Sequence, residues 1–208
     1  MSKYFESSTL LPRNDICVID NEYLSEESST YYFKSTGKIG IKYHFEDANN
    51  KVLYKCQYKT LSGNFNFNHP KTDRPLVKIK GKFHFLKPND IYITRFKNGK
   101  EIDTVSCNIK VNIKWSSYRY IIEFYNKATE KNEIIEVDCL GKYKDCTIYY
   151  GLKKEKGIPI CKFDSSKYFL GIDFKIDISP RVDTLFMLVV IEYVYHLMQT
   201  SKAAAAAS

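Results

Sequence analysis

The stretch Leu185-Phe186-Met187-Leu188-Val189-Val190-Ile191 places seven apolar residues in a row near the end of the chain. Seven consecutive side chains cover every side of an α-helix, so such a helix is buried either in a bilayer or in a protein interior. A spanning helix needs about 20 predominantly apolar residues, whereas Glu192 follows this run directly and His196 lies four residues further on. The run therefore predicts a helix buried inside the protein and no transmembrane span.

The residues before this run contain signals for the start of a helix. Ser179 is a suitable N-cap, and Pro180 suits the first helical position because its missing N–H group has no helical partner there. Asp183 would lie favourably in the first turn, near the positive end of the helix dipole. We expect a core helix over residues 180–199.

Residues 31–178 consist of short alternating segments separated by turn signals. The strongest signal is Asn98-Gly99, since a tight primed hairpin turn needs residues that tolerate positive φ. Turn signals recur about every 8–15 residues, a spacing typical of an all-β sandwich or barrel. In Val77–Phe85 the odd positions are apolar or Gly and the even positions are basic, so one strand face is core and the other is a positive row. The sequence thus predicts a mainly β domain whose curved sheet encloses the apolar helix.

Positive charge is concentrated in one part of the chain. The net charge is +8, yet residues 51–100 alone contain twelve Lys or Arg and only two Asp. A basic patch raises the local concentration of anionic partners. The candidate lipid- or anion-binding residues are Lys55, Lys59, Lys71, Arg74, Lys78, Lys80, Lys82 and Lys87. The alternative is that these are solvated outer faces of strands, where Lys also blocks aggregation.

Two ligands compete for such a patch. Acidic membranes attract each nearby basic residue by about 1 kcal/mol, and single-stranded nucleic acid would also need aromatic stacking platforms. Phe83 and Phe85 fall on the inward face of the basic strand. This pattern favours anionic phospholipids over nucleic acid as partners.

The sequence contains no signature of catalysis, of a cofactor or of a metal site. It lacks the nucleophile elbow, the phosphate-cradling Gly loop and the dinucleotide fingerprint, and its four His have no metal-ligand spacing. Asp173, Asp177 and Asp183 do not follow calcium-loop spacing, and we interpret them as turn and cap carboxylates. We predict a protein that is not an enzyme and needs no cofactor.

The six Cys include no CxxC pair. The sequence shows no N-terminal signal peptide and no N-glycosylation sequon, so we interpret the cysteines as reduced, mostly buried thiols. We expect the protein to be cytoplasmic and to include a peripheral location at membranes. The alternative is a disulfide framework.

Several features together resemble a known superfamily. They are the strand Gly171–Ile178, the junction with Asp177 and Asp183, the apolar helical run, and hairpins such as Ile91–Ile102. The chain resembles the tubby C-terminal-like superfamily, which includes phospholipid scramblases and the LURP-one-related proteins of plants. The resemblance implies a closed barrel of about a dozen antiparallel strands around a hydrophobic C-terminal helix.

The superfamily also implies functions. Its members are associated with membrane phosphoinositides, with lipid and calcium in scramblases, or with no defined biochemistry in LURP-one-related proteins. The Cys-rich and Pro-rich N-terminal segments of scramblases are missing here, and no lipid-contacting residues of tubby are carried over to positions of this chain. Our first hypothesis is a non-enzymatic module that contacts anionic phospholipid headgroups. The alternatives are a protein-interaction or scaffold domain and a calcium-dependent scramblase.

We divide the chain into three parts. Residues 1–30 form an acidic polar segment in which Ile16–Ile19 could dock as an edge strand, and residues 31–199 form the barrel with its helix. Residues 200–208 are a low-complexity tail or a cloning scar.

Overall fold

A closed antiparallel barrel is the framework of the structure, a computed structural model that describes residues 12, 14–36, 42–59, 64–82, 89–114, 117–140, 145–165 and 174–206. Each strand pairs with its neighbours in the chain, and β1 pairs with β12 to close the ring. The described strands are β1 (Ser29–Thr36), β2 (Lys42–Asp47), β3 (Val52–Lys59), β4 (Asn64–Asn68), β5 (Pro75–Lys82), β6 (Asn89–Lys97), β7 (Lys100–Lys114), β8 (Ser117–Asn126), β9 (Lys131–Leu140), β10 (Asp145–Tyr150), β11 (Ile158–Ser165) and β12 (Phe174–Ile178). The predicted fold class, a mainly β closed barrel around one C-terminal helix, is confirmed.

The apolar run forms the helix inside the barrel, α1 (Thr184–Ala206). The four residues Leu185, Leu188, Val189 and Val190 are each at most 2% exposed. Aromatic rings connect the helix to three sides of the barrel, with centroid distances of 5.6 Å for Phe33–Tyr195, 6.4 Å for Phe65–Tyr193 and 5.3 Å for Phe124–Phe186. The helix is therefore the core of the domain, as its all-round hydrophobicity requires. Among the described residues, no helix has both the length and the hydrophobicity needed to cross a membrane.

The helix begins at Thr184, four residues later than predicted. Asp183 caps it, since its Oδ1 accepts the N–H of Phe186 at 2.9 Å. The backbone of Arg181 has a φ of 65°, which is incompatible with a helix there. The predicted N-cap, Ser179, instead donates its backbone N–H to strand β11. The prediction of the cap was wrong because two suitable capping residues lie four positions apart.

The apolar run Ile16–Ile19 covers the end of the barrel where the helix begins, and each of its residues is at most 1% exposed. It docks through an isolated bridge between Ile16 and Val182, and not as an edge strand. The Oδ2 atom of Asp183 accepts three further backbone N–H groups, those of Val18, Ile19 and Asp20. Burial raises the pKa of Asp183 to about 6, against the opposite effect of these backbone donors.

The cysteines are buried as predicted, but they are not all reduced. Cys139 and Cys146 form a disulfide between β9 and β10. They lie directly opposite each other in the register of that hairpin, with Cα atoms 4.1 Å apart. The other four, Cys17, Cys56, Cys107 and Cys161, are free and buried. A search for CxxC pairs could not find this bridge, because strand register sets the contact.

Local strand predictions agree with the structure where it describes them. Asn98 and Gly99 both have positive φ and join β6 to β7 as a two-residue turn. Val77 and Ile79 point inward and are at most 1% exposed.

Candidate anion-binding face

We call one surface of the barrel the basic face: the outward side of β3, β4 and β5 with the turn His69–Arg74. Strand β4 has the sequence Asn-Phe-Asn-Phe-Asn, and both Phe65 and Phe67 are fully buried. Because side chains alternate along a strand, the three asparagines are on the outer side. A neutral polar strand thus forms the centre of the basic face.

Strand register places lysines on both sides of this asparagine strand. Lys55 of β3 lies opposite Asn68, and Lys78 of β5 lies opposite Asn66. Two spacings of about 4.8 Å separate β3 from β5, and the two lysines are offset by two residues, about 7 Å, along the strands, so their backbones are about 12 Å apart. Asparagine carries no charge, so β4 does not neutralise the positive strands beside it.

Most described cations of the basic face have no acidic partner. They are exposed, and none forms an ion pair with a carboxylate of the described residues; they are Lys55, Lys71, Arg74, Lys80 and Lys82. Lys82 lies opposite Asp90 in the register without forming an ion pair with it. These five cations leave the face electrostatically open to an anion.

Lys78 differs from its neighbours on β5. Its side chain is half-buried, and its amino group lies 4.5 Å from the centroid of the Phe96 ring. This is the geometry of a cation–π contact. Its ammonium therefore packs on the barrel surface, whereas those of Lys80 and Lys82 are exposed.

Two of the eight predicted residues are not placed. The side chain of Lys59 and the whole of Lys87 lie outside the described residues, as do Phe83 and Phe85. The structure therefore brings Lys55, with Lys71 and Arg74 of the turn, to one side of the face and Lys80 and Lys82 to the other.

The turn His69–Arg74 is held in one shape by its own hydrogen bonds. The backbone N–H of His69 donates to the carbonyl of Arg74 at 2.8 Å, and that of Asp73 donates to the carbonyl of His69 at 2.9 Å. The His69 Nδ1 atom accepts the backbone N–H groups of Lys71 and Thr72 at 3.2 and 3.3 Å. The turn therefore presents its charged side chains on an ordered backbone.

A cavity of about 480 Å³ lies between this turn and the outer surface of β2 and β3. It is lined by Tyr43, His44, Val52, Lys55, Cys56, Gln57, Asn68 and Asp73. Asn68 is only 4% exposed, and its side-chain Oδ1 accepts no hydrogen bond within the described structure. The cavity thus combines a lysine, a carboxylate and a buried amide whose oxygen lacks a donor.

The β2 wall of this cavity is fixed by an ionic cluster. Glu46 accepts from His44 Nε2 and Lys34 Nζ, both at 2.7 Å. The Lys34 ammonium, together with the His44 ring, holds the pKa of Glu46 below its usual range. His44 therefore faces the cavity in an orientation that Glu46 determines.

Sequence reasoning found Lys55 but missed Asn68, His44 and Asp73. The available signal was the alternation of Asn with Phe in β4, which places three amides on an outer face. The strand register brings Asn68 close to β2 and to the turn, and no local sequence pattern predicts that register.

The carboxylates that could have bound calcium have structural partners. Asp177 accepts from Thr30 Oγ1 and Lys175 Nζ, each at 2.7 Å, and Asp183 caps the helix. Asp173 lies outside the described residues. Within the described ranges, no group of His, Cys, Asp and Glu side chains is arranged to hold a metal ion.

Comparison with known proteins places the chain in a family. An X-ray structure of a protein from Arabidopsis thaliana is similar with a TM-score of 0.50 at 13% identity, covering 85% of this chain and 94% of that one, which shows the fold alone. No curated protein matches. The family model for LURP-one-related proteins matches residues 27–192, from just before β1 to well inside the core helix. The chain belongs to the LURP-one-related family.

Proposed function

We propose that this LURP-one-related domain is a non-enzymatic binding module that contacts anionic phospholipid headgroups at a membrane surface through the basic face. The observation that carries the proposal is the set of five exposed cations, on neighbouring strands and one turn, that form no ion pair with a described carboxylate. At about 1 kcal/mol for each basic residue near an acidic surface, five cations contribute up to about 5 kcal/mol. That corresponds to a dissociation constant of roughly 0.2 mM, a weak and reversible attachment.

The arrangement of aromatic side chains favours lipid over single-stranded nucleic acid. On β4 the rings of Phe65 and Phe67 point into the core. Bases laid across this strand would meet asparagines and lysines, and they would lose the stacking that stabilises such complexes. A headgroup layer needs only charge and hydrogen-bond donors, and the basic face supplies both.

Vesicle co-sedimentation tests the proposal. Vesicles that contain acidic lipid should bind the parent at low salt and lose it at high salt, because the Debye length shrinks from about 10 Å at 0.1 M to about 3 Å at 1 M. The double variant Lys80→Glu/Lys82→Glu should lose most of this binding. Lys78 is left unchanged, since its amino group packs on Phe96.

A matched control makes the same change of charge elsewhere. Lys110 and Lys131 are exposed residues of β7 and β9. Lys110→Glu/Lys131→Glu should reduce binding far less than the double change on β5. If the parent does not bind acidic vesicles at low salt, the proposal is overturned, and protein interaction is the function to test next. Equal losses in the two double variants would show that net charge, and not the basic face, governs binding.

A further inference from the structure

The cavity beside the turn His69–Arg74 contains charges of both signs. Lys55 and Asp73 both line it, and neither forms an ion pair with a described residue. Asn68, the most deeply buried polar side chain of the lining, has an Oδ1 atom that accepts no hydrogen bond from the described residues. Two unpaired opposite charges and an unpartnered acceptor therefore border one space.

A buried acceptor without a donor is costly, so its partner is expected to come from a bound molecule. Asn68 Oδ1 and the Asp73 carboxylate both complement a group with several N–H donors and a positive charge. Lys55 complements an anionic group on the same molecule. The matching ligand is a zwitterion.

We propose that this cavity binds a small zwitterionic group in which an ammonium faces Asp73 and Asn68 while an anionic group faces Lys55. The inference rests on the proposed function and names its headgroup class: a phosphoserine-type headgroup, with the free zwitterion as the other source of this chemistry. Lys71 and Arg74 are exposed beside Asp73 on the same turn. Their charge favours a zwitterion of net negative charge, such as phosphoserine, over a neutral one such as phosphoethanolamine.

The walls suit such a ligand in shape as well as in charge. A volume of about 480 Å³ lies within the range of roughly 300–1,000 Å³ that small-molecule sites occupy. The backbone of Asp73 has a φ of 56°, and the hydrogen bonds of His69 hold the turn that carries it. The backbone that carries the carboxylate is therefore fixed before a ligand arrives, which reduces the entropy cost of binding.

Two kinds of vesicle with equal surface charge separate this inference from the proposed function. Phosphatidylserine and phosphatidylglycerol carry the same net charge, but only phosphatidylserine has an ammonium. At equal lipid fraction the parent should bind phosphatidylserine vesicles roughly twofold to fivefold more tightly, the upper range of one exposed charge pair. Equal binding to both would overturn the lipid headgroup as the ligand of the cavity and leave the proposed function standing. Binding to neither would overturn both.

The variant Asp73→Asn removes the carboxylate and keeps the backbone, because Asn tolerates positive φ well. It should abolish the preference for phosphatidylserine and leave binding to phosphatidylglycerol unchanged or slightly stronger. Glu123→Gln removes one negative charge from an exposed position on β8 and should keep the preference. A thermal melt establishes that both variants are folded.

Soluble glycerophosphoserine and O-phosphoserine distinguish the two sources of the ligand, with binding measured by calorimetry. If the source is lipid, they should bind in the millimolar range and compete with phosphatidylserine vesicles. If the source is a free zwitterion, O-phosphoserine should bind in the micromolar range, again dependent on Asp73. The assignment of the cavity would be overturned if the parent and Asp73→Asn bound the vesicles and both soluble compounds identically.

Discussion

The basic face and the outward side of β8, β9 and β10, which we call the paired face, use charge in opposite ways. On the paired face, Arg119 Nε lies 2.9 Å from Glu136 Oε1, and Lys153 Nζ lies 2.6 Å from Asp138 Oδ2. Both carboxylates are at most 6% exposed. On the basic face, Lys55 and Lys78 instead lie opposite asparagines, Asn68 and Asn66.

The difference shows which charges serve the fold. A buried carboxylate needs a cation or several donors, so Arg119 and Lys153 cannot be released without cost. An exposed lysine opposite an asparagine has no such obligation and can pair with a ligand at little cost. The same residue types therefore stabilise buried carboxylates on one side of the barrel and lack such a partner among the described residues on the other.

The largest expected effect is a loss of stability from a change in the core helix, on which the strands of both faces pack. Val190 is 2% exposed, and Val190→Lys would bury an unpaired charge in the core. We expect a loss of more than about 4 kcal/mol, seen as absent soluble expression or loss of the thermal transition. Val111, which is 38% exposed, gives the control, since Val111→Lys should melt like the parent. A stable Val190→Lys protein would show that the helix is not in the interior.

The second effect concerns the Asp183 carboxylate, which accepts backbone N–H groups and forms no ion pair with any cation of the described residues. The pKa of Asp183 is raised to about 6 in the folded state from an ordinary value of 3.8. The protonated form is therefore favoured by folding, and its contribution is complete below pH about 4 and lost as pH rises through about 6. The contribution is up to about 3 kcal/mol. Burial lowers the pKa of His196, which acts in the opposite direction near neutral pH.

The variant Asp183→Asn isolates this contribution from His196. The unfolding free energy of the parent, measured relative to the variant, should fall between pH 4 and pH 7. Urea denaturation at each pH gives the difference. A difference that stays constant over this range would contradict the prediction.

A third, intermediate effect tests the paired face directly. Arg119→Ala leaves Glu136, which is 2% exposed, without its guanidinium partner. We expect a loss of about 2 kcal/mol in urea denaturation, below the range for fully buried pairs because Arg119 is partly exposed. The matched change Lys80→Ala on the basic face should cost less than about 0.5 kcal/mol. Similar losses in the two variants would remove the distinction between the faces.

The smallest effect lies within the basic face. Lys78→Ala removes the contact with Phe96 and should cost about 0.5–1 kcal/mol, whereas Lys80 has no such contact among the described residues. Comparison of the two alanine variants by thermal melting measures the difference. If Lys78→Ala melts like Lys80→Ala, then the ring contact does not stabilise the fold.

The sequence alone predicts the features that depend on local pattern. Seven apolar residues in a row are enough to place the helix in the interior, and alternation in β5 assigns Val77 and Ile79 to the core. The helix start depends on a tertiary contact, because Ile16–Ile19 packs against Asp183 and not against Ser179. The lysines could be listed from composition, whereas the cavity needs the register between β2, β3 and β4.

Closure of the barrel also has a consequence for synthesis of the chain. Ser29 of β1 pairs with Ile178 of β12, and the helix that fills the interior comes later still. During translation, eleven strands with one apolar side emerge before the segment that completes the ring. Contacts of such high sequence separation form slowly, and partly formed sheets with open edges tend to aggregate. We therefore expect the nascent chain to depend on chaperones until β12 and the core helix have left the ribosome.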